Sequence, residues 1–411
     1  MRVFLFACLS QALLNTVVFG LPIKEEEPYG GNDDDHNSPQ NLPVQKIVQQ
    51  NNEFTYMFYG HLANKYPDDN IFCSPESIAL LFSMVSAGAK GQTQTEIFDG
   101  LGFNMTLISE DNIHKGYKEL LNMLNQTNSD LVLDIANAFF AEKSTTFQED
   151  FLEDIKNFQA EAITTDFQHP EEAKNQINNY VKEKTNGMIK NLLDSLDPAT
   201  LLVILNTIYF SGKWETPFNK NRTQDADFQL NNDTMVKVPM MSKEGTYNMT
   251  FIDEVGCTLV EVPYQQHFSA IFIIPHPGQL QEVEKAVQNN SLEKWMEEMH
   301  PRRIIFSLPK FTMSSSLDLT KELPSFGIKT VFSDNADLSG ITGSKNLRMS
   351  KAVHKAAVSV DEAGTEAAAA SAGGVVILSL PQHIIADKPF MFVIKGKITN
   401  AISFIGRVAI P

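Results

Sequence analysis

The most informative part of the sequence reads AVHKAAVSVD over Ala352–Asp361 and, after two further residues, GTEAAAASAGGVVILS over Gly364–Ser379. In the first segment Val358 and Val360 alternate with other residues, which predicts a β-strand. The second segment begins with very small residues and ends in a short apolar run, and another strand-like run follows at Phe390–Ile394. A long connection between strands is usually a functional loop or disordered chain, and its apolar end argues against disorder.

The composition of this loop suits a strand that enters an existing sheet. In an extended chain Thr365, Ala367 and Ala369 lie on one face, which is small and uncharged. Such a face could enter a sheet without a clash, and the backbone would gain hydrogen bonds. A helix is the alternative, because Ala has the highest helix propensity, although Gly373–Gly374 would limit it to about two turns. The two conformations can belong to different states of the protein.

Several longer motifs resemble those of the serpin family. They are NIFCSPESIALLFSMVSAGAKGQTQTEI (Asn70–Ile97), LNTIYFSGKWETPF (Leu205–Phe218), ADLSGIT (Ala336–Thr342), MSKAVHKAAVSVDE (Met349–Glu362), DEAGTEAAAA (Asp361–Ala370) and IIADKPFMFVI (Ile384–Ile394). These motifs are long and specific, and the resemblance covers about residues 45–411. The sequence looks most like the secreted α1-antitrypsin and antichymotrypsin group of the family.

The resemblance implies an α+β serpin fold with three β-sheets, about nine helices and an exposed reactive-centre loop at about residues 363–381. The residues themselves support the fold class. Leu131–Phe140 and Leu201–Phe210 are continuous apolar runs, which are typical of central strands covered on both faces. Gln148–Asn157 and Glu171–Lys184 read as helices, and segregated helices and strands indicate an α+β fold.

The resemblance also implies a mechanism. A serpin is a one-use inhibitor: a protease attacks the exposed loop, forms an acyl-enzyme, and the cut loop then inserts as a new strand of the central sheet. Insertion carries the protease along and distorts its active site before deacylation. We therefore expect an inhibitor of serine proteases and not an enzyme. A non-inhibitory carrier of a small hydrophobic hormone on the same fold is the alternative.

By motif, the hinge of the loop comprises Glu362, Gly364, Thr365, Glu366, Ala367, Ala368, Ala369 and Ala370. The ungapped alignment with the family between the hinge and Lys388 implies a scissile bond at Leu378–Ser379. The aliphatic side chain of Leu378 suits the apolar primary pocket of chymotrypsin-like or elastase-like proteases, and it lacks the charge that trypsin-like pockets bind. Gly373–Gly374 makes the loop unusually flexible, which could favour its hydrolysis as a mere substrate.

Other residues match positions that control loop insertion in the family. Trp214 matches the tryptophan where the loop first enters the sheet, and Lys310 and Glu362 match a salt bridge near the base of the loop. A hydrogen-bonding cluster beneath the central strands is matched by Ser74, Ser77, Asn206 and His354. For Trp214 and Ser77 plain core packing is the alternative. Asn206 and His354 lie in apolar strands, where polar groups need partners.

The N-terminus predicts a secretory signal peptide over residues 1–20, because Arg2 precedes an apolar run and Gly20 offers a cleavage site. A membrane anchor is the alternative, but polar residues interrupt the apolar run. Residues 21–43 predict a disordered acidic tail, and residues 44–411 a single serpin domain. Tyr29 lies between acidic runs, a context that favours tyrosine sulfation, and a solvated spacer is the alternative.

The formal net charge of −17 opposes binding to nucleic acid or other polyanions. The sequence has no strongly basic helix, so we do not expect glycosaminoglycan activation. It contains no HExxH, GxSxG or GxxxxGK[ST] motif, so we expect no metal, no cofactor and no enzymatic activity. The expected protein is a secreted monomer without a membrane partner.

Six Asn-x-Ser/Thr sequons predict a glycoprotein, with acceptors at Asn104, Asn125, Asn221, Asn232, Asn248 and Asn289. A sequon in a buried strand would remain unused. Cys73 and Cys257 lie in apolar, strand-like sequence. Two cysteines in so large a domain do not make a disulfide framework, so we expect buried free thiols, with a bridge as the alternative.

Overall fold

The computed structural model describes residues 42–124, 131–230, 234–363 and 381–411. Several predicted features lie outside these residues: the signal peptide, nearly all of the acidic tail with Tyr29, and the sequons at Asn125 and Asn232. The loop from Gly364 to residue 380, which includes the small-residue hinge and Leu378–Ser379, also lies outside them. The described residues fall within one compact unit, Gln40–Pro411.

Ten α-helices occur in the described residues, close to the expected number of about nine. They are α1 (Leu42–Lys65), α2 (Pro75–Gly88), α3 (Gly91–Gly100), α4 (Glu110–Leu124), α5 (Glu149–Asn157), α6 (Pro170–Lys184), α7 (Leu280–Gln288), α8 (Ser291–Glu297), α9 (Leu319–Glu322) and α10 (Ser339–Thr342). The two predicted helices are confirmed as α5 and α6. The first helix begins at Leu42, so the last two residues assigned to the acidic tail are helical. In the described part of the chain, no helix is long and apolar enough to span a membrane.

Fourteen strands occur in the same residues. They are β1 (Ile71–Cys73), β2 (Leu131–Glu142), β3 (Ala160–Thr165), β4 (Leu202–Gly212), β5 (Gln224–Gln229), β6 (Met235–Ile252), β7 (Cys257–Pro263), β8 (Phe268–Pro275), β9 (His300–Pro309), β10 (Phe311–Asp318), β11 (Lys351–Val360), β12 (Gln382–Ile385), β13 (Phe390–Gly396) and β14 (Ile402–Val408). Both apolar runs predicted as long strands are confirmed, as β2 and β4.

The central sheet contains five strands in the order β10-β11-β4-β2-β3. The pairs β11–β4 and β2–β3 are parallel, and the other two pairs are antiparallel. Every residue of β4 is buried. A continuous apolar strand is the pattern expected for the middle of a sheet that is covered on both faces.

The other nine strands form a single hydrogen-bonded sheet, with the path β1-β14-β13-β8-β7-β6-β9-β12 and β5 paired to β6. The resemblance implies three sheets, whereas the described residues form two hydrogen-bonded sheets. The reason is β6, which is 18 residues long. Its earlier residues pair with β5 and β9, and Met249–Ile252 pair with β7, so this one strand joins two sheets.

Helix α2 lies between the two sheets, in contact with β4 on one side and β14 on the other. The Ser74 hydroxyl caps it by accepting a hydrogen bond from the Ser77 N–H, and Pro75 occupies the first turn. Both features are favourable at a helix N-terminus. Nearly all of α2 is buried, so its first turn is fixed in the core directly beneath the central sheet.

Candidate functional site

The seam between β11 and β4 is the place where an additional strand could join the central sheet next to β11. These two strands are parallel neighbours over eight register pairs, from Lys351 opposite Val203 to Val358 opposite Phe210. β11 ends at Val360, and the described chain continues to Ala363, within the predicted hinge. A strand inserted here must first break the β11–β4 ladder, so the contacts that join these strands oppose insertion.

The four residues predicted to form a polar cluster are brought together beneath this seam. Ser77 Oγ, in the first turn of α2, donates to Asn206 Oδ1 of β4 at 2.8 Å. His354 Nδ1 of β11 lies 2.5 Å from the same oxygen. The Ser74 N–H donates to His354 Nε2 at 3.1 Å. The first turn of α2 is therefore bonded to both strands that flank the seam.

Asn137 is a further member of this cluster that the sequence reasoning missed. Asn206 Nδ2 donates to Asn137 Oδ1 of β2 at 2.7 Å, and both side chains are buried. A polar residue in the apolar run Leu131–Phe140 carried the same signal as Asn206, because a buried amide needs partners. With this bond the Asn206 side chain connects three strands of the central sheet to α2.

His354 is held as a neutral imidazole. Its side chain is fully buried, and burial lowers its pKa to about 3. Because the Ser74 N–H donates to Nε2, the ring proton lies on Nδ1 and is donated to Asn206 Oδ1. Protonation of Nε2 would place its N–H opposite the Ser74 N–H, and two donors cannot form a hydrogen bond. The cluster therefore depends on the neutral imidazole.

Trp214 lies beside the start of the loop, at the position predicted for it. Its indole Nε1 donates to the Asp361 carbonyl at 2.9 Å, and its backbone N–H donates to the Ala363 carbonyl at 3.1 Å. The ring is buried and stacks on Tyr264 at a centroid distance of 4.1 Å. Trp214 therefore packs in the core, which was the alternative interpretation, and also contacts the backbone at the base of the loop.

Glu362 is anchored at the base of the loop. Its Oε2 lies 2.8 Å from Lys310 Nζ, the predicted salt bridge, and its Oε1 accepts from Thr223 Oγ1 at 2.7 Å. Burial alone would raise the pKa of Glu362, but the Lys310 ammonium and the Thr223 hydroxyl outweigh it and hold the pKa below its ordinary value. Thr223 was not predicted, and no local pattern distinguishes it from other threonines.

Four of the six sequons lie in described residues, and all four asparagines are exposed: Asn104, Asn221, Asn248 and Asn289. Asn104 Oδ1 accepts hydrogen bonds from the N–H and hydroxyl of Thr106, the threonine of its own sequon. Asn248 lies within β6, and its side-chain amide donates to Glu261. None of these four sites is therefore excluded by burial of the asparagine.

Cys73 and Cys257 are free, buried thiols, which confirms the expected state. Burial raises the pKa of Cys73 far above the ordinary value and that of Cys257 to about 12, so both thiols stay protonated and inert. Across the described ranges, no group of three or more His, Cys, Asp or Glu side chains is placed to hold a metal ion.

Two solved structures have the same fold as this chain. Human thyroxine-binding globulin complexed with thyroxine superposes with a TM-score of 0.85 at 36% identity, over 90% of this chain and 99% of that one. Uncleaved ovalbumin gives a TM-score of 0.83 at 29% identity, over 89% of this chain and 100% of that one.

The sequence comparisons define the family. The family model described as Serpin (serine protease inhibitor) matches residues 49–411. Alpha-1-antiproteinase of Bos taurus is 39% identical over 98% of this chain and 95% of that protein. Alpha-1-antitrypsin of Sus scrofa is 38% identical over 92% of this chain and 90% of that protein. With the insertion seam and hinge contacts in place, these matches establish that the chain belongs to the serpin family.

Proposed function

We propose that this protein inhibits serine proteases as a suicide substrate, and that the cut loop becomes a new strand between β11 and β4. The arrangement of the seam is the observation that carries the proposal. The loop follows β11 directly, and one polar cluster ties β11 and β4 to the same turn of α2. A released loop can therefore fold back beside the strand it follows once that cluster yields.

The energy for trapping a protease comes from the added strand. Insertion of Thr365–Leu378 would add a strand roughly 45 Å long. If each new backbone hydrogen bond contributes about 1 kcal/mol net, the gain is on the order of 10 kcal/mol. That gain is comparable to the whole stability of a typical domain. The native protein must then be kinetically trapped, with the closed β11–β4 ladder as part of the barrier.

The scissile bond in this proposal is Leu378–Ser379. A leucine before the cut fits the apolar primary pocket of chymotrypsin-like or elastase-like enzymes. Gly373–Gly374 lie between the hinge and the cut in the sequence, and glycine loses more conformational freedom than any other residue when it is fixed in a strand. Flexibility can delay insertion, and acyl-enzymes that deacylate first would release cleaved inhibitor and active protease. We therefore expect a measurable fraction of inhibitor to be consumed as substrate.

Incubation with chymotrypsin tests the mechanism. The wild-type protein should form a complex that survives SDS, and the released C-terminal fragment should begin at Ser379. The Thr365→Arg variant is the matched control, because an arginine at the first inward-facing position of the inserted strand is costly to bury. It should be cut at the same bond without forming the complex. Cleavage of the wild type with no complex, or a stable complex with the variant, would contradict the proposal.

The remaining features of the chain fit a circulating inhibitor. We infer that residues 1–20 are removed as a signal peptide, that residues 21–43 form an acidic tail with Tyr29 open to sulfation, and that residues 44–411 act as one monomeric domain. Four exposed sequon asparagines support N-glycosylation. The net charge of −17 disfavours nucleic acid and glycosaminoglycan partners. Intact mass before and after enzymatic deglycosylation tests the cleavage and the glycans together.

Carriage of a small hydrophobic hormone is the second candidate, and one observation favours it. A cleft of about 440 Å³ lies between α1, α8 and the turn from β13 to β14, with Val48, Asn52, Met296, Lys395 and Asn400 in its lining. This volume suits a small ligand. The solved thyroxine-binding globulin with the same fold holds thyroxine. The charged lining means that a ligand of this cleft would need polar groups of its own.

Thyroxine titration distinguishes the two candidates. Trp295 lies in α8, beside the cleft residue Met296, so binding there should quench tryptophan fluorescence. Saturable quenching that is lost in Lys395→Ala would support carriage. Unchanged fluorescence together with an SDS-stable chymotrypsin complex would leave inhibition as the function.

A further inference from the structure

Glu76 is a buried carboxyl in an apolar environment. It lies in the first turn of α2 with 5% of its surface exposed. Its Oε1 has no hydrogen-bond partner among the residues that the structure describes. The cavity beside it offers about 10 Å³, room for no more than about one water molecule. Solvent can therefore do little to relieve the cost of a charge at this position.

Among the described residues, the side chains that line this cavity carry no positive charge. β2 contributes Leu133 and Ile135, and β4 contributes Ile208. β14 contributes Ser403, whose hydroxyl also lacks a well-formed hydrogen bond within the described ranges. Helix α4 contributes leucines and Tyr117. The cavity is therefore an apolar site into which one ionisable carboxyl projects.

Tyr117 is the other titratable side chain in this lining. Its hydroxyl donates to Asn51 Oδ1 of α1 at 2.7 Å. Burial raises the pKa of Tyr117 well above its ordinary value, so it stays neutral. Burial likewise raises the pKa of Glu76, to about 7, and the nearby Ser403 hydroxyl offsets this only in part. Ionisation of Glu76 thus occurs near neutral pH, and no cation in the described lining of the cavity compensates the charge.

The position of Glu76 connects this carboxyl to the insertion seam. The same turn of α2 carries the Ser74 N–H bonded to His354 of β11 and the Ser77 hydroxyl bonded to Asn206 of β4. A charge that forces this turn to shift toward solvent would strain both bonds at once. These two hydrogen bonds hold β11 and β4 to the first turn of α2.

We propose that Glu76 is a positioning residue for loop insertion: its carboxylate form loosens the first turn of α2 and makes the β11–β4 seam easier to open, whereas its neutral form holds the seam shut. This inference rests on the proposed inhibitory function. It adds a buried carboxyl group that sets how readily the central sheet accepts a strand.

The direction of the pH dependence follows from the two states. In the opened seam Glu76 is solvated and has an ordinary pKa near 4.5. Between that value and about 7 the closed state binds more protons than the opened state, so opening becomes easier as pH rises. Above about 7 both states are ionised and the effect levels off. His354 acts in the opposite sense below about pH 6.5, so its contribution must be cancelled by comparing variants.

The test measures insertion without a protease. A synthetic peptide with the sequence of Thr365–Leu378 is incubated with the full-length wild-type protein and with Glu76→Gln, and the rate of complex formation is measured from pH 5 to pH 8. The wild-type rate divided by the Glu76→Gln rate should rise by about tenfold and then level off, if the rate-limiting, partly opened state relieves about one unit of the full pKa difference between the closed and opened seam. Glu149→Gln, an exposed acid in the first turn of α5, should match the wild type at every pH.

The outcomes separate this inference from the proposed function. If the ratio of the wild-type to the Glu76→Gln insertion rate does not change with pH, and the wild type still forms the SDS-stable chymotrypsin complex, the role of Glu76 is overturned. The inhibitory mechanism is then left intact. Absence of both peptide insertion and the protease complex overturns both. Glu76→Leu, which suits the apolar lining, is the second variant if Glu76→Gln folds poorly. It should give the same ratio, because it also lacks the charge.

Discussion

His354 makes the stability of the native protein sensitive to acid. Its pKa is lowered to about 3 by burial, whereas an exposed histidine titrates near 6.5. Between these values the unfolded chain binds a proton that the native protein does not. The free energy of unfolding should therefore fall as pH drops through this range, on the order of 1 kcal/mol per pH unit.

Urea unfolding of the wild type and of His354→Asn, at a series of pH values from 7 to 4, measures this effect. The variant should be less stable at pH 7 because it disrupts the polar cluster. Its stability should nevertheless depend less steeply on pH, by the equivalent of one proton. Glu76 titrates with the opposite sign in the same range but is present in both proteins. Parallel curves would show that His354 does not carry the acid sensitivity.

Leu378 should set the target class. Leu378→Arg should form the covalent complex with trypsin-like proteases, whose primary pocket carries an acidic group, and lose most of its rate with chymotrypsin. Leu378→Met is the control and should keep chymotrypsin as a target. The second-order rate constants for inhibition of trypsin and chymotrypsin by each variant test this prediction. If Leu378→Arg still prefers chymotrypsin, the scissile bond lies elsewhere in the loop.

Helix α2 is the element on which the closed sheet depends. The Ser74 hydroxyl accepts the Ser77 N–H, and this cap fixes the turn that also binds Asn206 and His354. Ser74→Ala should lower the free energy of unfolding by about 1 kcal/mol, as is typical for loss of a serine cap. The same variant should convert more readily to an inserted or polymeric form, because the turn beneath the seam is loosened.

Gln279→Ala is the matched control for this cap. Gln279 precedes α7 and makes no side-chain capping bond, so its replacement should change stability by less than about 0.5 kcal/mol. Native gel electrophoresis after mild heating measures polymer formation in both variants. Equal behaviour of Ser74→Ala and Gln279→Ala would mean that the α2 cap does not restrain the sheet.

Considered as one cooperative domain, the protein should become more stable when its loop is cut. Cleavage at Leu378–Ser379 should release Thr365–Leu378 to complete the central sheet, whereas a cut in an ordinary loop relaxes the chain. A gain on the order of 10 kcal/mol would raise the melting temperature by tens of degrees, given roughly 2–4 °C per kcal/mol for somewhat smaller domains.

Calorimetry of the intact and cleaved protein at one scan rate measures this change, because native melting of a kinetically trapped fold depends on scan rate. Cleaved Thr365→Arg is the control and should melt close to its intact form. An equal or lower melting temperature for the cleaved wild type would mean that the loop does not insert, and the proposed mechanism would then be wrong.

Much of this molecule could be predicted from the sequence because the signals are local. Continuous apolar runs predicted β2 and β4. Long motifs carried the family resemblance and with it the placement of Trp214, Lys310 and Glu362 at the base of the loop. Asn206 and His354 are buried polar residues in apolar strands and therefore require hydrogen-bond partners. The two side chains bond to each other. Asn137 carried the same signal and was overlooked.

The tertiary structure alone decided the rest, because it depends on which distant residues meet. Ser77 and Asn206 are 129 residues apart, and Thr223 reaches Glu362 across 139 residues. The sequence cannot show that β6 joins two sheets, since strand pairing is a long-range choice. From the sequence, nothing separates Glu76 from other acids near the start of a helix. The packing of α4, β2, β4 and β14 buries that carboxyl in a lining that, as far as the structure describes it, holds no cation, so that Glu76 titrates near neutrality.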